Sequence, residues 1–310
     1  MKTVATAPAS IGNIGVGYDV LGQAFPAAFD RVTATRTDSP GVRLGAVTGL
    51  VTTLPADPQR NSALRAAQAV LSAAGAQFGA VIDIDKGIPL SAGMGGSGAS
   101  AVAGAAAANA LLDAPFETEA LLPFALEGER VTADPPAWDN VAPTLFGGIV
   151  IAADTEAGLV RRLPAPDGVE AVLVHPDFAI ETAAARGVLS PEVPLTTAVE
   201  HARRIAAFTL GCATSDHALI RAGLEDVLIE AQRARLVPGF AAVKQAAMNA
   251  GALGCSLSGS GPSVFAWCPA GRAQAAGAAM ADAFAGAGLA ARIHRAGLDG
   301  PGVAVERIAG

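Results

Sequence analysis

Apolar and acidic side chains alternate over residues 80–85, where Ile82 and Ile84 interleave with Asp83 and Asp85, which predicts a strand with one dry and one wet face. The alternation breaks at 89–100 into Pro-Leu-Ser-Ala-Gly-Met-Gly-Gly-Ser-Gly-Ala-Ser and gives way at 101–109 to a nearly all-alanine run, helical by propensity. Earlier, β-branched and apolar runs predict strands at 20–29 and 31–37, and Asn61 is placed to cap a helix reaching about residue 74. A helix is expected over 117–131, with Leu121, Leu122, Phe124 and Ala125 on its buried stripe. Pro135 and Pro136 exclude regular structure at the start of 134–148, and a strand follows at 147–151. Gly158, Pro164, Pro166 and Gly168 mark 154–168 as a domain connection. Beyond it, strands are expected at 169–174, 254–257, 263–267, 290–295 and 303–308, with helices at 194–210, 215–222, 224–232, 240–250 and 272–287. That order suggests an α+β sandwich with helices on one face of an antiparallel sheet, and two domains, 1–160 and 161–310.

Composition narrows the function classes. Hydrophobic residues make up 51% of the 310 and charged ones 16%, so the chain has ample material for a core and is not of the disordered class. A net charge of −7 with no dense Lys/Arg cluster argues against nucleic acid as a partner. Cys212, Cys255 and Cys268 show no Cys-x-x-Cys spacing, which argues against a zinc site and fits a reducing compartment. The longest apolar run, 99–112, is mostly alanine, too short for a bilayer and interrupted by Asn109. No apolar stretch of the signal-peptide kind lies near Met1. The expectation is a cytoplasmic protein with no membrane partner.

A strand, a glycine loop and a helix start in succession place unpaired N–H groups and a positive dipole end at one point, which suits phosphate oxygens. The loop is neither a P-loop, which needs Gly-Lys-Ser/Thr, nor a dinucleotide fingerprint, and no lysine occurs between Lys86 and Lys244. Its small residues either cradle phosphate or let a helix pack close to a sheet. Near the start, residues 8–19 carry three glycines with Asn13 and Asp19, which either face a ligand or cap turns. A third glycine-rich loop, Ser-Gly-Ser-Gly-Pro-Ser, spans 258–263.

Three such segments at the start, middle and end of the chain resemble the three motifs of the GHMP kinase superfamily. Within it, Pro-Ala-Ser-x-x-Asn-x-Gly-x-Gly-Tyr-Asp-Val-Leu-Gly at 8–22 resembles the opening of the homoserine kinase branch. The Gly-Glu-His element of galactokinases and mevalonate kinases is missing. Residues 89–100 resemble the superfamily's nucleotide loop, with Met94 for Leu and Gly96 for the first Ser. Asp139-Asn140-Val-Ala-Pro, the Thr-x-x-x-Arg of Thr182 and Arg186, the Arg-x-x-Leu-x-Pro-Gly beginning at Arg233, and 256–263 match further elements in family order. Two positions depart: Ala137 stands where the family often has His, and 188–191 reads Val-Leu-Ser-Pro where Leu-Pro is usual.

The resemblance implies a two-domain α+β GHMP kinase fold, with an N-terminal domain like ribosomal protein S5 domain 2 and a ferredoxin-like C-terminal sandwich. It implies ATP-dependent phosphorylation of the side-chain hydroxyl of L-homoserine, and a homodimer is compatible with it. Alternatives are a kinase of another small alcohol and a ligand sensor without turnover. Nucleotide-binding positions carried over are Asn61, which either touches nucleotide or only caps its helix, and Pro89, Leu90, Ser91, Ala92, Gly93, Met94, Gly95, Gly96, Ser97, Gly98 and Ala99, with the N–H groups of 93–99 on the triphosphate. Ser97 and Glu129 are the implied Mg²⁺ ligands, although a glutamate on a helix is more often simply solvated. Asn13, Asp19, Asn140, Thr182, Arg186 and Arg233 are the implied acceptor-binding set. Guanidinium forks suit its carboxylate, Asp19 suits its ammonium, and Asn13 and Asn140 its hydroxyl. Asn140 and Asp19 are the catalytic candidates; Asp19 holds the ammonium or takes the hydroxyl proton.

Overall fold

A computed structural model describes residues 1–308. The chain runs β1 (Lys2–Gly12), β2 (Leu21–Thr37), β3 (Gly41–Gly49), α1 (Ser62–Ala73), β4 (Gly79–Lys86), α2 (Gly96–Asn109), α3 (Leu122–Glu129), α4 (Trp138–Phe146), β5 (Ile149–Asp154) and β6 (Leu159–Leu163). It continues with β7 (Val169–Pro176), α5 (Thr182–Gly187), α6 (Leu195–Thr214), α7 (His217–Gly223), α8 (Glu230–Arg233), α9 (Phe240–Asn249), β8 (Gly254–Leu257), β9 (Val264–Pro269), α10 (Ala273–Gly286), β10 (Ala291–Gly297) and β11 (Ala304–Ile308).

The first sheet has the order β11-β1-β2-β4-β3, with β5 paired to the start of β2 and β6 to β5. All of its pairs are antiparallel except β3 with β4. The expected strands at 20–29 and 31–37 are one 17-residue strand, because Phe29 to Arg31 pass without a turn and keep the register with β1 and β4. A cut at residue 160 falls inside β6, and β11 pairs with β1, so the last strand returns to the first sheet.

Alanine does structural work in α2. Twelve of its residues are buried, and Gly104 lies against the backbone of Ala63, so α1 and α2 pack almost backbone to backbone. The helix expected at 117–131 is a 3-10 turn followed by α3, and α4 begins directly after the two prolines.

The second sheet, β10-β7-β9-β8, is antiparallel; β7, β8 and β9 are largely buried, whereas β10 is an exposed edge. Along β7, Val172 and Val174 enter a core with α9 and α10, whereas Ala171 and Leu173 join the core shared with the first unit. This double burial is why 169–174 reads as an almost continuous apolar run. On β9, Trp267 reaches across and its indole N–H donates to Gln23 Oε1 at 2.9 Å, fixing the two units together. The helix expected over 224–232 is mostly a turn: Asp226 accepts from three successive N–H groups, of Leu228, Ile229 and Glu230, and α8 starts only at Glu230.

Candidate active site

A cavity of about 460 Å³ lies where the glycine loop, the end of β1, α4, α5 and the 258–263 loop meet. Its shape is set first by backbone. Asn13 and Asp19 adopt φ of 68° and 55°, the left-handed region that Asn and Asp tolerate better than other side chains. The Asn13 side chain closes this turn by accepting from the Asp19 N–H at 3.1 Å and donating to Gly259 O at 3.0 Å. Its own N–H donates to Asp139 Oδ2 at 2.9 Å. Gly12 allows that approach, since a Cβ there would stand 2.6 Å from the same oxygen.

The glycine loop is held from outside at four successive carbonyls. Ser91 O accepts from Ile180 N at 3.1 Å, Ala92 O from Ser263 N at 3.2 Å, Gly93 O from Ser258 Oγ at 2.6 Å and Met94 O from Ser10 N at 3.0 Å. A Cβ on Gly93 would meet Ser258 O at 2.5 Å and Gly261 O at 2.7 Å, so only glycine fits between the two loops. With its carbonyls so occupied, the loop leads into α2, whose first N–H groups have no partner within the helix.

Of the sequence-predicted loop positions, Pro89, Leu90, Ser91, Ala92, Gly93, Gly95, Gly96 and Ser97 line the cavity. Met94, Gly98 and Ala99 do not. Met94 is packed in the core, Gly98 lies against Val141 and Asn140, and the Ala99 N–H is spent on Gly95 O at 2.9 Å. Asn61 lines the cavity, yet its amide is used on both sides. Oδ1 caps α1 through Ala63 and Leu64 N–H, and Nδ2 donates to Pro55 O.

Ser97 Oγ donates to Glu129 Oε1 at 2.9 Å, so the two implied metal ligands are adjacent. Glu129 is not the solvated helix glutamate of the plainer sequence alternative: it is 4% exposed, and its Oε2 is buried without a partner. Burial pushes its carboxyl up to about 7, against the lowering effect of the Ser97 and Thr132 hydroxyls. Asp139 is also buried and pushed up to about 7, by burial and then by the charge of Asp19. Asn140, in the first turn of α4, accepts from Ser10 Oγ at 2.9 Å and donates to Asp139 Oδ1 at 3.3 Å. Ala137 occupies the N-cap of α4 with no side-chain cap and lines the cavity.

Thr182 and Arg186 sit at the two ends of α5 on the cavity wall. Arg186 pairs with Asp19 at 3.3 Å. Burial raises the Asp19 carboxyl, although Arg186 and then Arg233 pull it down. Arg233 is 3% exposed; it donates to Ala185 O at 3.0 Å and Gly259 O at 3.2 Å, and its guanidinium lies 5.0 Å from the Tyr18 ring centre. Desolvation lowers its pKa.

Sequence reasoning missed Lys86. Its ammonium is buried against Asp30 and donates to Gly96 O at 3.1 Å and Ser100 Oγ at 3.0 Å, while Asp30 Oδ1 accepts from Gly87 and Ile88 N–H. The pair locks the end of β4 to the first turn of α2. Its parity with Ile82 and Ile84 sets Lys86 on the dry face of β4, which signals burial, but its partner lies 56 residues away and no local spacing names it. Among the described residues, no cluster of three or more His, Cys, Asp or Glu side chains could hold a metal. No helix among them is long and apolar enough to cross a membrane.

The chain is similar to known proteins over nearly its whole length. The GHMP kinases N terminal domain family matches residues 61–148, and the GHMP kinases C terminal family matches 207–286. Homoserine kinase from Xanthomonas campestris pv. campestris is 44% identical over 92% of this chain and 88% of its own. That of Xylella fastidiosa (strain M12) is 44% identical over 96% and 92%. A crystal structure of homoserine kinase from Cytophaga hutchinsonii superposes with a TM-score of 0.94 at 36% identity, covering 98% of this chain and 97% of that one.

Proposed function

Because the chain belongs to the homoserine kinase family of the two-domain α+β GHMP kinases, which use ATP, we propose that it transfers the γ-phosphoryl group of ATP to the side-chain hydroxyl of L-homoserine, giving O-phosphohomoserine and ADP. The observation that carries the reading is one cavity lined both by the glycine loop and by Asn13, Asp19, Asn140, Arg186 and Arg233. The donor's phosphates and a small zwitterion would share that space.

In this reading Gly93, Gly95, Gly96 and Ser97 present N–H groups to the triphosphate. Arg186 and Arg233 bind the acceptor carboxylate. Asp19 then exchanges its contact with Arg186 for the acceptor ammonium, and Asn13 and Asn140 orient the hydroxyl. Ser97 and Glu129 suit Mg²⁺, since the orphaned Glu129 Oε2 beside a serine hydroxyl supplies the one or two protein oxygens this ion uses next to phosphates. The ion would neutralise charge on the transferring group. Asp139 has both oxygens engaged, by Asn13 N–H and Asn140 Nδ2, which supports transfer driven by positioning and electrostatics without a dedicated base.

A coupled ADP assay with homoserine, threonine, shikimate and mevalonate tests the proposal. Turnover is expected with homoserine foremost; ATP binding without ADP release from any acceptor would instead indicate a sensor. The proposal extends to a cytoplasmic homodimer. Three buried free cysteines support the reducing compartment, and exposed Leu195, Val199 and Leu210 on α6 support association; light scattering checks the latter.

A further inference from the structure

The two oxygens of Glu129 have unequal surroundings. Oε1 has Ser97 Oγ at 2.9 Å and Thr132 Oγ1 at 3.3 Å, whereas Oε2 is closed off from water with no donor. Thr132 lies in the turn that ends α3. There its N–H and that of Ala133 both donate to Glu129 O, at 3.0 and 3.1 Å. The Thr132 hydroxyl stands 3.2 Å from this same carbonyl and 3.3 Å from Oε1. A carbonyl oxygen has two lone pairs, and both are already taken. The single hydroxyl proton therefore goes to the carboxylate, which is also the stronger acceptor.

The Ser97 hydroxyl has lone pairs to offer a cation besides the proton that it donates to Oε1. Thr132 is a second donor on the same oxygen, and two donors hold the carboxylate plane where one alone acts as a hinge. With the Ser97 bond alone, the carboxylate would swing about its terminal bond, whose torsion is broad. We infer that Thr132 is a positioning residue that fixes the Glu129 carboxylate, so that Oε2 is the oxygen left for a divalent cation. The inference rests on the reading of Ser97 and Glu129 as the cation's protein ligands. It adds a residue that never touches the ion, acting as the hydrogen-bonded partners of metal-ligating carboxylates do elsewhere.

Mn²⁺ provides a probe independent of turnover. Free Mn²⁺ is followed by electron paramagnetic resonance in protein saturated with a non-hydrolysable ATP analogue, for the wild type, Glu129→Gln, Thr132→Val and Thr132→Ser. Thr132→Val, close to isosteric at an exposed position, is expected to weaken Mn²⁺ binding by about tenfold. Thr132→Ser restores the hydroxyl and should bind within about twofold of wild type. Should Thr132→Val match the wild type while Glu129→Gln is weakened, the positioning role is overturned and the ligand reading survives. Should Glu129→Gln also match the wild type, the ligand reading falls and the inference with it. Thermal midpoints confirm folding, and Thr132→Ala, judged by the same criterion, replaces the valine variant if that one does not fold.

Discussion

Glu129→Gln removes one buried negative charge and keeps the shape of the side chain. Burial raises the Glu129 carboxyl from 4.5 to about 7. A group that holds its proton more tightly in the folded than in the unfolded chain stabilises the fold fully below the unfolded value, and that contribution is lost as pH rises through the folded one. For Glu129 the window therefore runs from 4.5 to about 7. At about 1.4 kcal/mol for each tenfold change in proton affinity, the loss is about 3 kcal/mol, or about 5 °C in Tm for a chain of this size. Differential scanning fluorimetry from about pH 5 to about pH 8, without nucleotide or metal, should show the wild type losing about 5 °C more than Glu129→Gln. Asp139 is pushed into the same range and is present in both proteins, so the difference between the two curves reports Glu129 together with its repulsion by Asp139. Mg²⁺ with a non-hydrolysable ATP analogue should then raise the wild-type midpoint at the upper pH more than that of the variant. Parallel curves for the two empty proteins would refute the reasoning.

Lys86→Met leaves Asp30 buried without its cation and should destabilise the fold by about 3–5 kcal/mol in urea titration, while raising KM for ATP because Gly96 O and Ser100 lose their partner; an unchanged midpoint would make the pair incidental. Arg233→Ala should raise KM for homoserine by roughly 10–100-fold with a smaller change in kcat, as expected for loss of a charge-assisted contact, and an unchanged KM would remove the assignment. Asn140→Ala should lower kcat by about 100-fold with both KM values nearly constant, read by single-turnover kinetics; a pure KM effect would reassign it to ground-state binding.

The local signals in the chain were readable where chemistry is local. Asn61 as the cap of α1, the glycine loop opening α2 and the positive-φ Asn13/Asp19 turn each depend on neighbours within a few residues. Partners at long range were not readable. Lys86 with Asp30, Gln23 with Trp267 and Ser10 with Asn140 join segments that sequence spacing cannot relate. The same limit bears on individual positions of the glycine loop. A motif places Met94 and Ala99 beside their neighbours, whereas only the packed structure shows the thioether in the core and the Ala99 N–H committed to Gly95. Strand β11 illustrates a topological version: its composition reads as a strand, but nothing in it says that its partner is β1 rather than the neighbouring sheet.

In the proposed reaction, the 258–263 loop would align the donor and acceptor positions without a base. Ser258 Oγ fixes Gly93 O of the nucleotide loop, while Gly259 O accepts both Asn13 Nδ2 and Arg233 Nη1. Three parts of the cavity wall are thereby referred to two adjacent residues of the second unit. Phosphoryl transfer through a loose transition state depends on the line between attacking and leaving oxygens, so displacement of the acceptor groups relative to the phosphate loop is what catalysis can least tolerate. Separate anchors would let the two drift independently, and a shared anchor makes them move together. On that proposal, rigid docking of the units, with the Trp267–Gln23 bond among its fixed points, would matter to catalysis as much as the residues that line the cavity.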